Sequence, residues 1–239
     1  ALHAQLSAFF GWCARKMLIE VNPLSKVERP GPGKPRDRVL SDDELRSVWL
    51  AADKLAPQYA GVIKMLILTG QRLREVAYMA RSELDANRTM WSLPGLRTKN
   101  GNAHTVPLAP QACAIIEAMP RKSDGFVFSL NGERAVEGFS LMKRRLDALT
   151  GVMESWTLHD LRRTCATGLQ KLGVRLEVCE KCLNHTGSLA GIAGVYQRHT
   201  FDKEKREALT AWADRVEALV AGRDPGSNNV IELAGRKAS

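Results

Sequence analysis

The chain has no apolar run long enough to cross a bilayer. Its longest, AGVIKMLILTG at 60–70, is broken by Lys64 and falls far short of the roughly 20 residues a spanning helix needs, so it reads as a buried helix. No charged n-region followed by an apolar stretch opens the sequence, so no secretion signal is visible and the expected compartment is the cytoplasm; the start at Ala1 reads as the cut end of a longer chain. Cysteine is sparse: five residues, at 13, 113, 165, 179 and 182, an odd and scattered set that builds no disulfide framework. Internal repeats, low-complexity blocks and carboxylate clusters of the kind that hold catalytic metals are also missing, and no cofactor is expected. Tyrosine is scarce, with three in the chain.

One group does imitate part of a metal site. CEKCLNH spaces Cys179, Cys182 and His185 at intervals of three, but a second ligand pair is lacking. Leu176, Cys179 and Leu183 recur at helical spacing, which favours small apolar cysteines on a packed face.

What is present is a globular composition with a basic surplus. The 239 residues are 44% apolar, enough for a real core, and 35 Lys and Arg against 26 Asp and Glu leave a formal charge of +9. A pI near 9.5 points to a polyanionic partner, with nucleic acid leading.

Residues 2–20 place Leu2, Leu6, Phe9, Phe10, Cys13 and Met17 on one helical face, and Asn22-Pro23 is expected to stop that helix. SKVERPGPGKPRDR then reads as an extended linker, and a domain boundary is placed there, with residues 25–38 as the linker. LSDDEL announces the next helix at about Asp42: Ser41 and Glu44 form a capping box, and Leu40 and Leu45 suit a hydrophobic staple. YAGVIKMLILTG is the expected central core helix, ended by Gly70, and QRLREVAYMA begins a shorter helical piece. From 81 to 108 the runs turn β-like: TMWSL and HTVPL flank RTKNGN, whose Asn100-Gly101 is a hairpin signal and predicts a small basic ribbon with Lys99 at its tip. Helical periods return at 110–119, 138–149, 158–171, 175–184 and 203–221, with Gly173 a C-cap; the tail from Gly222 is polar except for VIEL.

Chemistry concentrates in a few places. In TLHDLRRT, His159 and Arg162 share a helix face and can converge on a phosphate, or else form a solvent face with a salt bridge to Asp160. Arg72, just after Gly70, has Glu75 three residues on, either to hold a functional guanidinium or as an ordinary helical pair. Lys99 is a solvated lysine, a phosphate contact, or a proton donor to a leaving oxygen. His185 falls where a helix ends, and as a lone histidine it is also a core or capping residue. Tyr196, in GVYQRHT, is a packed aromatic or a nucleophile.

Taken together, TGQRLRE, RTKN, HDLRRT, LNH and VYQRH, in that order and spacing, resemble the catalytic domain of the tyrosine recombinase, or phage integrase, family over residues 37–221, in particular its prophage and genomic-island branch. LSAFFGWCARKMLIEVNP is similar to the last helix of the family's preceding core-binding domain. The resemblance implies a mainly α fold with a small antiparallel β-sheet or hairpin. Residues 1–24 are then a core-binding remnant, 39–221 the catalytic domain and 222–239 a tail. It implies Arg72, Lys99, His159, Arg162, His185 and Tyr196 as the catalytic set, with Glu75 supporting. Two departures stand out: Asn184 occupies a position where Gly often precedes the second histidine, and Tyr196 lies eleven residues after His185, on the long side.

In that family the tyrosine attacks a DNA phosphodiester to leave a 3′-phosphotyrosyl bond, the arginines and second histidine stabilise the phosphate, the lysine protonates the leaving 5′-oxygen, and no metal is needed. The implied partners are double-stranded attachment-site DNA, further copies of the chain in a tetrameric synapse, and accessory excision or DNA-bending proteins, with no membrane. An inactive DNA-binding module, a metal-dependent phosphohydrolase read from His159-Asp160, and a topoisomerase are the alternatives.

Overall fold

The computed structural model describes residues 2–29, 31, 37–121, 123–151, 153–185 and 200–223. The chain forms two units, Ala1–Arg36 and Asp37–Ser239. In the first, helix α1 spans Leu2–Arg15 and stops before Asn22-Pro23, where the sequence placed its end. The reason is local closure. Met17 takes a left-handed conformation at φ 57°, its N–H donates to Ala14 O at 3.0 Å, and Leu18 N–H donates to Cys13 O at 3.0 Å, the two bonds of a Schellman end. Asn22 folds the following turn back instead, with Nδ2 donating to Ser7 O at 3.1 Å. Only Cys13 of α1 is buried, while Leu2, Phe9 and Met17 of the expected apolar face are exposed.

The second unit begins as the sequence predicts. Helix α2 (Asp42–Ala52) has the Ser41–Glu44 capping box, and Leu40 and Leu45 are both buried. Helix α3 (Pro57–Thr69) is apolar nearly all round and buries Val62, Ile63, Met65, Leu66, Ile67 and Leu68. It packs against α2, the short α4 (Leu73–Ala77), α5 (Pro110–Glu117), α7 (Leu158–Lys171) and α9 (Asp202–Val220). Trp212 of α9 donates its indole N–H to Ile67 O at 2.8 Å, so even the polar handle of this core aromatic is satisfied. Helix α6 (Phe139–Thr150) packs on α2, and α8 (Leu176–Cys182) packs on α7 and α9. Gly173, at φ 78°, follows the last turn of α7.

The sheet is one antiparallel pair, β1 (Met90–Leu93) and β2 (His104–Pro107), in register Leu93 with His104 and Met90 with Pro107. The turn differs from expectation. Asn100-Gly101 does not close a two-residue hairpin, because residues 94–103 all lie between the paired strands and include a 3-10 turn at Gly95–Arg97. Tertiary bonds hold this connection: Arg97 pairs with Glu83 and donates to Glu75 O at 2.9 Å, and Asn100 bonds to residue 184. Lys99 therefore sits within a folded connection, not at the tip of a free ribbon.

Candidate functional site

Helix α3 ends on Gly70, whose φ of 62° puts the chain in the left-handed region. A Cβ there would lie 2.7 Å from Leu183 Cδ2 and 2.9 Å from Cys165 Sγ, so glycine is required for conformation and for space. This close approach brings the α3–α4 junction against the end of α8. Gln71, buried, donates to Cys182 O at 2.8 Å and to Thr69 O at 2.8 Å. Arg72 then opens α4. Glu75 accepts from its backbone N–H at 3.1 Å and from Nη1 at 2.9 Å. The glutamate is buried and the guanidinium partly exposed, which orients a cation outward on an internal carboxylate.

Thr157 caps α7, and Asp160 accepts from Thr157 N–H at 2.7 Å, from its hydroxyl at 3.0 Å, and from Arg163 Nη1 at 2.5 Å. The carboxylate is completely buried in this cap. It is thus turned to its own helix end, which disfavours a metal ligand at His159-Asp160, and the ion pair belongs to Arg163, not to Arg162 as the solvent-face reading supposed. Arg162 is itself buried, donating from Nη1 to Gly70 O at 2.8 Å and from Nη2 to Leu183 O. Burial, followed by the nearby charge of Arg72, pulls its pKa down to about 10, which still leaves it cationic at neutral pH. His159 keeps an exposed edge, yet partial burial, then the charges of Arg163 and Arg162, holds its pKa below the usual histidine range. His159, Arg162 and Gln71 line a cleft of about 530 Å³ with Phe139, Lys143 and Trp156; the Lys143 ammonium lies 3.9 Å from the Trp156 ring centroid.

Helix α8 ends in another Schellman-type closure. Asn184 is left-handed at φ 51°, and His185 N–H donates to Glu180 O at 3.0 Å. The position noted as a departure from glycine is thus one that demands positive φ, which asparagine tolerates better than other side chains. His185 is exposed, with Nδ1 3.2 Å from Glu180 Oε1. Lys99 is exposed in the β1–β2 connection, whose next residue, Asn100, donates Nδ2 to Asn184 O at 2.9 Å and to Asn184 Oδ1 at 3.1 Å.

Arg72, Lys99, Arg162 and His185 thus come from four separate elements gathered around the end of α8, and His159 shares α7 with Arg162. Tyr196 lies outside the described residues, as does the VIEL tail. Cys179 and Cys182 are buried, and burial pushes their thiols up to about 11 and about 12, which opposes the thiolate a metal would need. Among the described residues, no group of three or more His, Cys, Asp or Glu is placed to hold a metal ion.

Sequence reasoning missed Gln71, Arg97, Asn100 and His104. His104 faces inward from β2 with Nε2 3.2 Å from Cys182 O, a carbonyl that also receives Gln71. Its signal was the two-residue alternation with Val106, which places both on the buried face.

Residues 38–203 match the model of the Phage integrase family. Prophage integrase IntA of Escherichia coli (strain K12) is 31% identical over 164 residues, which is 65% of this chain and 38% of that protein. The chain spans 38% to 56% of the length of the first curated relatives it matches. Among solved structures, the integrase from mycobacterium phage Brujita has a TM-score of 0.58 at 22% identity, covering 96% of this chain and 73% of that one. A lambda integrase(75-356) dimer bound to a COC′ core site has a TM-score of 0.57 at 18% identity, covering 77% and 70%. The likeness to these structures is one of fold: mainly α with a two-stranded antiparallel sheet, the architecture of tyrosine recombinase catalytic domains.

Proposed function

Because the chain belongs to the phage integrase family, matched over 38–203, we propose that it is a site-specific recombinase that cleaves and rejoins duplex DNA to integrate or excise a mobile element. The observation that carries the reading is the arginine pair. Arg162 is held by the carbonyls of Gly70 and Leu183, and Arg72, two residues after Gly70, is held on buried Glu75, so two guanidinia are fixed at one junction with charge that an anion would neutralise. A DNA phosphodiester has the charge and the two non-bridging oxygens to do so.

In this mechanism the Tyr196 oxygen bonds to phosphorus as the bond to the 5′-oxygen breaks, leaving a 3′-phosphotyrosyl enzyme. The tyrosine proton passes to the exposed edge of His159, an imidazole whose pKa partial burial, then the charges of Arg163 and Arg162, holds below the usual histidine range. Lys99 gives its proton to the departing 5′-oxygen. Arg72, Arg162 and His185 stabilise the charge on the equatorial oxygens, and Glu75 fixes Arg72. Attack by a 5′-hydroxyl from a partner strand reverses each transfer and completes recombination.

Residues 1–24 are assigned to a core-binding remnant, 25–38 to a linker, 39–221 to the catalytic domain and 222–239 to a tail. The chain would act on bacterial chromosomal or phage DNA, as several copies in a synapse, with accessory DNA-bending or excision proteins.

Covalent trapping tests the proposal. Nicked suicide duplexes from candidate attachment sites, incubated with the protein in EDTA, should give a denaturation-resistant protein–DNA adduct mapping to Tyr196 and lost in Tyr196→Phe. An adduct that persists in Tyr196→Phe, or DNA binding without any adduct, would refute it.

A further inference from the structure

The β1–β2 connection is tied down on both sides of Lys99. Before it, Arg97 pairs with Glu83 and donates Nη2 to Glu75 O at 2.9 Å, while the Thr98 hydroxyl bridges Gly95 O at 2.9 Å and Asn102 O at 2.8 Å. After it, the amides of Asn100 and Asn184 face each other. Asn100 Nδ2 reaches Asn184 O at 2.9 Å and Oδ1 at 3.1 Å, and Asn184 Nδ2 reaches Asn100 Oδ1 at 3.3 Å and Asn102 O at 3.4 Å. Asn100 Oδ1 also accepts from Asn102 N–H at 3.1 Å, which holds its side chain in the turn.

The other end of this bridge is equally constrained. Asn184 is left-handed, at φ 51°, and immediately precedes His185. Arg162 grips the carbonyl one residue earlier, at Leu183, and Gln71 and His104 grip the carbonyl of Cys182. The Asn184 side chain is therefore a projection from an immobilised turn. A glycine would satisfy the backbone there at lower conformational strain, yet would leave the connection without this partner.

We propose that Asn184 and Asn100 are positioning residues that hold Lys99 in register with the phosphate site before DNA arrives. The proposal rests on the recombinase reading and on the role of Lys99 as proton donor. A lysine on a loose ten-residue connection must be ordered during each cleavage event, whereas the amide pair orders its neighbour in advance. The pair acts through Lys99 and touches neither reacting atom.

This assignment separates from a structural role by the leaving group. A 5′-bridging sulfur leaves as a thiolate of low basicity and needs no proton, so a defect in proton delivery disappears when sulfur replaces the 5′-oxygen, while a defect in folding or phosphate binding remains. Single-turnover cleavage should be measured with both substrates for the full chain and for Asn184→Gly, Asn100→Ala and the double variant. General acid catalysis is worth about 10²–10⁴-fold, so loosening the acid should slow oxygen-substrate cleavage by roughly tenfold or more.

The expected result has four parts: slowed oxygen cleavage in both single variants, near-parental sulfur cleavage, a double variant no slower than the worse single, and an unchanged melting temperature for Asn184→Gly. Equal slowing on both substrates, or no slowing on either, would overturn the positioning role while leaving the recombinase reading intact. No adduct from the parent chain on either substrate would overturn both.

Discussion

His104 carries its imidazole on the buried face of β2, 8% exposed, with a backbone carbonyl at Nε2 and the ammonium of Lys205 nearby. Burial first, then the Lys205 charge, drives its pKa from 6.5 to about 3. The folded protein therefore keeps it neutral where the unfolded chain protonates it. Stability from this residue is complete above pH 6.5 and is lost as the pH falls from there towards 3. His159, also lowered, contributes in the same direction. The urea midpoint should fall between pH 7 and pH 5, and His104→Gln should flatten that dependence; an unchanged slope in the variant would refute the assignment. Lys205 beside His104 is a buried cation made tolerable by its acceptors, with Thr105 O at 2.9 Å, Thr105 Oγ1 at 2.9 Å and Asp202 Oδ1 at 2.8 Å. The alternation along β2 could place His104 on the buried face, but the partners that make it and Lys205 tolerable there were not legible, because the fold supplies them from far along the chain.

The ends of the elements, more than their middles, build the site. The α3–α4 junction, the end of α8 and the start of α7 meet because Gly70 lets them approach. Gly70→Ala imposes a left-handed conformation and a Cβ clash with Leu183 and Cys165, and should cost about 2 kcal/mol or more in denaturant unfolding. Gly173→Ala is the control. It shares the positive φ, at 78°, but has open space at the Cβ position, so it should cost only the backbone strain, roughly 1–2 kcal/mol. A loss at Gly70 no larger than at Gly173 would show that close approach is unimportant. At this scale the sequence was most readable: the Ser41 box, the apolar α3 and the glycine stop are all written within a few adjacent residues. The β1–β2 connection was misread because Asn100-Gly101 carries a turn signal, and the choice of turn was made by Arg97 and Asn100 bonding outside the ribbon.

Across the whole molecule, a surplus of nine positive charges predicts binding dominated by phosphate neutralisation. Affinity for duplex DNA should fall steeply with salt, with a log–log slope of about −5 or steeper if six or more phosphates are contacted. Filter binding or anisotropy from 50 to 200 mM salt, a range of about fourfold, checks this. A flat profile would argue that the charge serves another purpose. Tyr196→Phe should keep that slope, since it removes no cationic side chain.

The sequence by itself determined most of the helices, the caps at Ser41, Gly70 and Gly173, the basic balance, the order of the polar motifs and, through that order, the family. These depend on neighbours within one or two turns of chain or on composition, and so are local. Only the tertiary structure decided what the polar residues do to one another. Arg162 could have been a surface cation paired with Asp160; it is buried because carbonyls 92 residues before it and 21 after it converge on its guanidinium. Asn184 could have been a simple replacement for glycine; it has a partner because Asn100, 84 residues away, is folded against it. Such pairings exist only once α3, α7, α8 and the β1–β2 connection have packed, and no periodicity or spacing along the chain encodes a contact that depends on four elements at once.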